Sequence, residues 1–244
     1  MQEAGWINLR GIGTIVVTFA MLLGAASAQA HSVRHAPKHK VGRGTSTNWS
    51  GYAIDGSGAT SVTGTWTQPT ATCLPGENSW SSPWVGIDGD TSNTVEQTGT
   101  DSDCNNGVAR YYAWYEMYPK GTVVLSMAVQ PTNRFTGTVT YNSGVFTLQL
   151  VNDTTGARST VTQTSKRTAR SSVEWIMEGP SNGLLTNFGL VPFSSASAMI
   201  NGQTGGLSSF SNIQPITMVS SAGTTRAQPS GVTSNAFSVA WYSH

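Results

Sequence analysis

The sequence predicts an all-β domain built as a sandwich of two antiparallel sheets, of the concanavalin-like or jelly-roll-like kind. Three observations predict it. Short alternating runs rich in Thr, Val, Tyr and Trp recur along the chain. Turn residues interrupt them at intervals of roughly ten positions, as in sandwiches. From Thr47 onward no stretch places apolar residues at helical spacing.

The runs, in order, are VTGTWTQP, ARYYAWYEMYP, TVVLSMAVQ, FTGTVTYN, GVFTLQLVN, SSVEWIMEGP and SNAFSVAWYS. Asn142-Ser143-Gly144, Asp153 to Gly156, Gly179-Pro180 and Asn201-Gly202 supply the turns. FTGTVTYN and GVFTLQLVN read as one hairpin closed over Asn142 to Gly144. PSNGLLTNFG is the one segment expected to hold a short helical turn. GQTGGLSSFSN reads as a loop.

The N-terminus carries a different signal. Arg10 precedes the apolar run GIGTIVVTFAMLLGAA, and SAQA closes it. Positive charge, apolar stretch and an A-x-A end predict a secretory signal over residues 1–30, cut before His31. The run is short for a spanning helix, so no membrane attachment is expected once it is gone. Residues 31–46 form a basic linker or short pro-segment, and residues 47–244 the sandwich. The stretch HSVRHAPKHKVGRGTSTN has Arg34, Lys38, Lys40 and Arg43 but no acid. From residue 48 onward eight Lys and Arg face eleven Asp and Glu, a balance of about −3. A basic arm beside an acidic body would dock by attraction and release when acid neutralises the carboxylates. In an exported chain Cys73 and Cys104 are expected to form a disulfide. Its loop encloses Trp84, Asp88 and Gln97, and closing it should stabilise the fold by roughly 3 to 4 kcal/mol.

Composition removes several chemistries. His31, His35 and His39 lie in the arm and His244 is the last residue, so the body has no internal histidine. A Ser-His-Asp or Cys-His mechanism would have to recruit the arm or the terminus. A zinc hydrolase would lack its commonest ligand. No P-loop, G-x-G-x-x-G turn or D-[ST]-G pair occurs, and DGDTSN has too few ligands for calcium. The acidic body does not suit nucleic acid. No metal and no cofactor is expected.

Carboxylates and amides remain. Glu174 and Glu178 share one face of SSVEWIMEGP, with Cα atoms about 13 Å apart. Two acids, with Glu116 as another partner, would suit a β-sandwich glycoside hydrolase. The many Trp and Tyr would also suit a non-catalytic carbohydrate-binding module.

Four segments, taken together and in order, decide between these. They are NWSGY at 48–52, WVGIDGDTSNTVEQTGTD at 84–101, YAWYEMYP at 112–119 and EWIMEGP at 174–180, with FGLVPF following at 188–193. The chain resembles the glutamic peptidases, or eqolisins, over most of residues 47–244. That resemblance implies a secreted, pepstatin-insensitive acid endopeptidase with its site on the concave face of one sheet. Its catalytic pair would be Gln97 and Glu174. Trp49, Gly51, Trp84, Gly86, Asp88, Trp114, Tyr115 and Glu116 fall on the family's remaining motif positions, and Glu178 would support the pair. Tyr112 and Met117 depart from the fungal pattern, which has Asp and Trp there. The implied partner is a protein or peptide substrate, met by a monomer. Trp49, Trp84 and Trp114 are expected to line a cleft, and Trp66, Trp175 and Trp241 to pack the sheets.

Overall fold

The computed structural model describes residues 1, 35–180 and 182–244. The expected signal segment beyond residue 1, its cleavage point and His31 lie outside the described residues. The regular structure of the described chain is almost entirely strand. Its one 3-10 turn, Leu207–Ser209, falls in the segment read as a loop.

Two antiparallel sheets face one another. The front sheet runs in the order Val123–Leu125, Val108–Tyr118, Val95–Asn105, Ser82–Ile87, Ser172–Glu178, Trp49–Asp55 and Ile213–Val219. The back sheet runs Arg158–Thr164, Val145–Asn152, Arg134–Asn142, Ser61–Thr67, Leu190–Ile200, Phe237–Trp241 and Thr225–Pro229. Ile213–Val219 belongs to both, because its far end pairs with Thr225–Pro229.

Period-two alternation fills the space between the sheets. Val85, Ile87, Val173, Trp175 and Met177 point back from the front sheet, and Val62, Trp66, Phe135, Val139 and Phe193 point forward to meet them. Buried indole N–H groups need acceptors. Trp175 Nε1 donates to the Thr63 carbonyl at 2.7 Å, and Trp66 Nε1 donates to Thr100 Oγ1 at 2.9 Å. Trp241 is only partly buried against this core.

The hairpin over residues 142–144 forms as expected. Asn142 pairs with Val145. Ser143 (φ 49°) and Gly144 (φ 88°) take the two left-handed positions that a tight hairpin turn requires. Gly51 has a different task. At φ 148° its α-carbon passes so close to the next strand that an added Cβ would lie 2.1 Å from the Trp175 carbonyl oxygen. The expected disulfide joins Cys73 to Cys104, tying the loop at 73 to the end of Val95–Asn105.

Three local expectations need correction, the first being GQTGGLSSFSN, read as a loop, in which Gln203–Gly206 is a strand paired with Ser197 to Ile200. TVVLSMAVQ is a strand only over Val123–Leu125, at the exposed edge of the front sheet. PSNGLLTNFG holds no helical turn among its described residues; Leu184–Leu185 instead forms a two-residue strand parallel to Ser79–Trp80. The longest front-sheet strands include Val95–Asn105, whose sequence VEQTGTDSDCN has no apolar alternation to announce it.

Candidate active site

The outer face of the front sheet carries the residues the sequence singled out. Directly paired residues in antiparallel strands project to the same side. Glu174 pairs with Gly86, Gly86 with Gln97, and Gln97 with Glu116. Four adjacent strands therefore place Glu116, Gln97, Gly86 and Glu174 in one row on one face. Gln97 and Glu174 stand two strands apart, about 9–10 Å between backbones at normal strand spacing. Gly86 holds the place between them. A Cβ there would lie 2.9 Å from the Trp84 ring and 3.1 Å from the Gln97 Cβ. The missing side chain leaves an open slot between the amide and the carboxyl.

Each member of the row is held differently. Gln97 Nε2 donates to Glu116 Oε2 at 2.9 Å, and Thr122 Oγ1 donates to Glu116 Oε1 at 2.9 Å. Glu116 thus fixes which end of the Gln97 carboxamide is the donor end, and leaves its second N–H for the groove. Burial raises the Glu116 carboxyl to about 7, with the nearby His35 pulling the other way. Glu174 is fully buried, with the Ser172 side chain beside it as the group that favours its ionised form. Burial pushes its carboxyl well above the ordinary range, and Asp90, Asp88 and Asp55 add repulsion. Under this cover the neutral form of Glu174 is favoured.

Asp88 acts at one remove. Its carboxylate accepts from the backbone N–H groups of Ala169 (3.0 Å), Arg170 (2.8 Å) and Ser171 (2.8 Å), and from the Thr168 hydroxyl at 2.7 Å. This clamp fixes the segment that leads into Ser172–Glu178, and so fixes where Glu174 begins its reach. Asp88 itself adopts φ 72°, a conformation Asp tolerates better than most residues. Asp88→Ala is expected to strand three backbone donors and lower stability by about 3 kcal/mol or more. Chemical denaturation should show the loss, with Asp88→Asn recovering part of it through its remaining oxygen.

Glu178 lies four residues along the strand from Glu174 and pairs with Trp49 and Ser82, outside the Gln97 row. Its carboxylate accepts from Trp84 Nε1 at 2.9 Å and Asn48 Nδ2 at 3.3 Å. Trp49, Trp84 and Trp114 do share this face and cluster with Ala53, Val95, Ile176 and Ile216. Trp49 and Trp84 meet edge to face at 4.9 Å. Tyr115 does not share it. It pairs with Thr98 and turns toward the sandwich core, where its hydroxyl meets Gln163 Nε2 at 3.4 Å. Met117 also packs in that core, whereas Tyr112 is on the groove side and donates to Asp103 Oδ2 at 3.0 Å.

Two features of the face had no place in the sequence reading. Asp101 is buried in the groove wall and accepts from Trp114 Nε1 at 2.6 Å and Ser82 Oγ at 2.5 Å. It sits four residues after Gln97 on the same strand, so alternation was the signal for it. The second is the arm. Residues 35–40 lie on the acidic face itself. The His35 ring stacks on Trp114 at 3.8 Å, with Nδ1 3.3 Å from Glu178 and Nε2 3.6 Å from Asp101. Burial alone would lower the imidazole; the Asp101 charge, with help from Glu178 and Glu116, overcomes it and raises His35 to about 9. The expectation that the arm's histidines stand apart from the body therefore fails for His35. Its ring neighbours are acids and an indole, so it builds no Ser-His-Asp relay.

With the geometry in place, comparison with known proteins adds four likenesses. The model of the Peptidase A4 family matches residues 47–241. Aspergillopepsin-2 from Aspergillus niger is 32% identical over 198 residues, covering 66% of this chain and 67% of its own. Scytalidopepsin B from Scytalidium lignicola is 31% identical over 204 residues, covering 75% and 72% respectively. The crystal structure of scytalido-glutamic peptidase with a transition state analog inhibitor superposes with a TM-score of 0.70 at 26% identity, covering 80% of this chain and 98% of that one.

Proposed function

The chain belongs to the Peptidase A4 family, and from that premise we propose that it hydrolyses peptide bonds with Glu174 as general base and acid and Gln97 as oxyanion donor. The observation that carries this reading is the shared row: Glu174, Gly86 and Gln97 are consecutive cross-strand partners on one face. A peptide carbonyl over Gly86 would have the Gln97 amide on one side and the Glu174 carboxyl on the other. Glu178 falls outside the row, which favours Glu174 as the base.

The chemistry follows from what each group is able to do. Ionised Glu174 takes a proton from water as the oxygen attacks the carbonyl carbon. The carbonyl oxygen gathers negative charge, which the free Gln97 N–H receives. Glu174 then passes its proton to the departing nitrogen as the C–N bond breaks. The base form is needed, so cleavage rises with pH through the Glu174 ionisation. Gln97 does not titrate, and Glu116 keeps it in register. Scytalido-glutamic peptidase was crystallised with a transition state analog inhibitor, which suits the same use of this groove. The paired-carboxylate reading for sugars loses its geometry, since Glu178 is committed to Trp84 and Asn48.

The substrate we propose is an extended peptide or unfolded protein. The disulfide fits an oxidising compartment, and we place the working enzyme outside the cell as a monomer, with residues 31–46 as its pro-segment. Denatured protein incubated with the chain at pH 3 to 4 should be cut, with pepstatin and chelators having no effect. Intact protein, or cleavage that either agent stops, contradicts the proposal.

A further inference from the structure

The strand that carries Glu174 ends at Glu178, and the turn after it walls one part of the groove. Gly179 and Pro180 border a cavity of about 210 Å³ with Trp80, Ser82 and the arm residues His35 and Ala36. The arm passes this wall, with Trp49 Nε1 donating to the Ala36 carbonyl at 3.0 Å. The turn is drawn tight: a Cβ added to Gly183 would lie 3.0 Å from the Pro180 ring and 3.5 Å from the Trp80 ring. The Gly179 N–H donates to the Asn48 carbonyl at 2.9 Å, and Asn48 Nδ2 donates to Glu178. Where the turn sits therefore sets where the wall sits.

One buried cation holds that turn from behind. Arg226 is only 3% exposed. Its Nη1 donates to the Pro180 carbonyl at 2.9 Å and the Thr47 carbonyl at 3.2 Å, and its Nη2 donates to the Gly183 carbonyl at 2.7 Å. Both sides of the turn are thus tied to the chain just before Trp49–Asp55. Burial lowers the guanidinium from its ordinary value, and among the described residues no acid offsets that burial. A planar fork answered by main-chain carbonyls fixes the shape of a backbone. A β-bulge aims it. Met218 pairs with Ala227 but Val219 pairs with Thr225, so Arg226 is an extra residue on its strand. The N–H groups of Tyr242 and Ser243 both donate to its carbonyl. A bulge turns a side chain out of the ordinary alternation, here toward the turn after Glu178.

We propose that Arg226 is a positioning residue for substrate binding, which fixes the turn after Glu178 as the wall that one end of a bound peptide meets. The inference rests on the peptidase reading and deepens it. Glu178 already stands about 13 Å along the strand from Glu174, and the turn lies beyond it. Loss of the guanidinium therefore loosens the wall and leaves the row of Gln97, Gly86 and Glu174 in register. Binding common to substrate and transition state is lost, which raises KM and spares kcat. A purely structural role would instead lower the folded fraction, and with it the apparent kcat, at constant KM.

The test compares the full-length chain with its Arg226→Met and Arg226→Lys variants at one pH. All carry His35→Ala, which takes the arm's stacked ring out of the groove. The substrates are one labelled peptide and versions of it shortened residue by residue from each end. On the longest peptide Arg226→Met should raise KM about tenfold with kcat changed less than about twofold. Arg226→Lys keeps the charge and one carbonyl bond and should fall between. Shortening from one end should bring the KM ratio of variant to parent back to about one. Unchanged KM, a ratio equal at every length, or a kcat loss that follows the folded fraction by circular dichroism overturns the proposal and leaves the peptidase reading intact. If Arg226→Met does not fold, Arg226→Lys carries the same comparison. If the parent cuts no peptide, the peptidase reading fails, and anisotropy of the same peptides reads the wall directly. A Kd about tenfold weaker in the variant for the longest peptide alone then supports the proposal; equal affinities, or no binding by the parent, overturn it.

Discussion

Glu174→Gln is expected to reduce peptide cleavage by about a thousandfold or more while leaving the fold intact. Glutamine has nearly the shape of glutamate, so packing in the buried site is kept. It cannot take a proton from water, and general acid–base catalysis by a positioned group is worth about 10² to 10⁴ in rate. Here one residue serves both steps, which puts the loss toward the upper end. The replacement also removes a buried acid that Asp90, Asp88 and Asp55 repel, so stability should hold or rise. The same variant erases the acid limb of the pH profile. In the wild type that limb follows the loss of the Glu174 proton. Burial under the arm holds that proton more tightly than in a free glutamate; with the arm displaced, water reaches the carboxyl and the limb falls back toward the acid range in which cleavage is expected. Steady-state kinetics across pH, with circular dichroism as the folding control, checks each part. Retained cleavage in Glu174→Gln removes the residue from the mechanism.

Gln97→Ala is expected to cost about 10² to 10³ in kcat, the range found when an oxyanion donor is removed. KM should change much less, because the amide meets its charge only as the carbonyl oxygen becomes negative. The change also frees Glu116 from one of its two donors, leaving it with Thr122. Gln97→Glu is the sharper comparison. It keeps the shape but sets a second acid against Glu116, so the pair must share a proton to remain bonded. Its activity should fall as pH rises and that proton is lost. A Gln97→Ala enzyme with unchanged kcat would show that the oxyanion is stabilised elsewhere.

The sequence made some of this legible and hid the rest for physical reasons. The back sheet was readable, because FTGTVTYN and GVFTLQLVN alternate apolar and polar residues and the Ser143-Gly144 turn fits their twist. Val95–Asn105 was not, although it carries Gln97. Its groove side is Gln97, Gly99, Asp101 and Asp103, and these polar residues are buried by what lies over them. A strand with polar residues buried in a site does not show the pattern of a strand between core and water. Motif resemblance supplied Gln97 and Glu174; periodicity alone would not have joined them. The register between three strands then explained why they meet, and why Gly86 stands between them.

The same reasoning separates the correct and incorrect expectations about aromatic and basic residues. Trp49, Trp84 and Trp114 fall on the groove face, and Trp66 and Trp175 fall between the sheets. Tyr115 follows Trp114 directly, so in a strand it must face the other way. Its place in the motif concealed that. The arm was read as basic and therefore drawn to the acidic body, but its composition could not say where it would lie. Stacking of His35 on Trp114 and insertion of Lys38 beside Asp90 depend on residues 50 or more positions away. Only the fold brings them together.

The central claim is that Glu174 and Gln97 act on one carbonyl as a unit. The most direct measurement is kcat/KM for Glu174→Gln, Gln97→Ala and the double variant on one peptide at one pH. Groups that act as a unit are far from additive. The double variant should therefore be about as slow as Glu174→Gln alone. If the two losses instead multiply, the side chains work independently and the shared-carbonyl account is wrong.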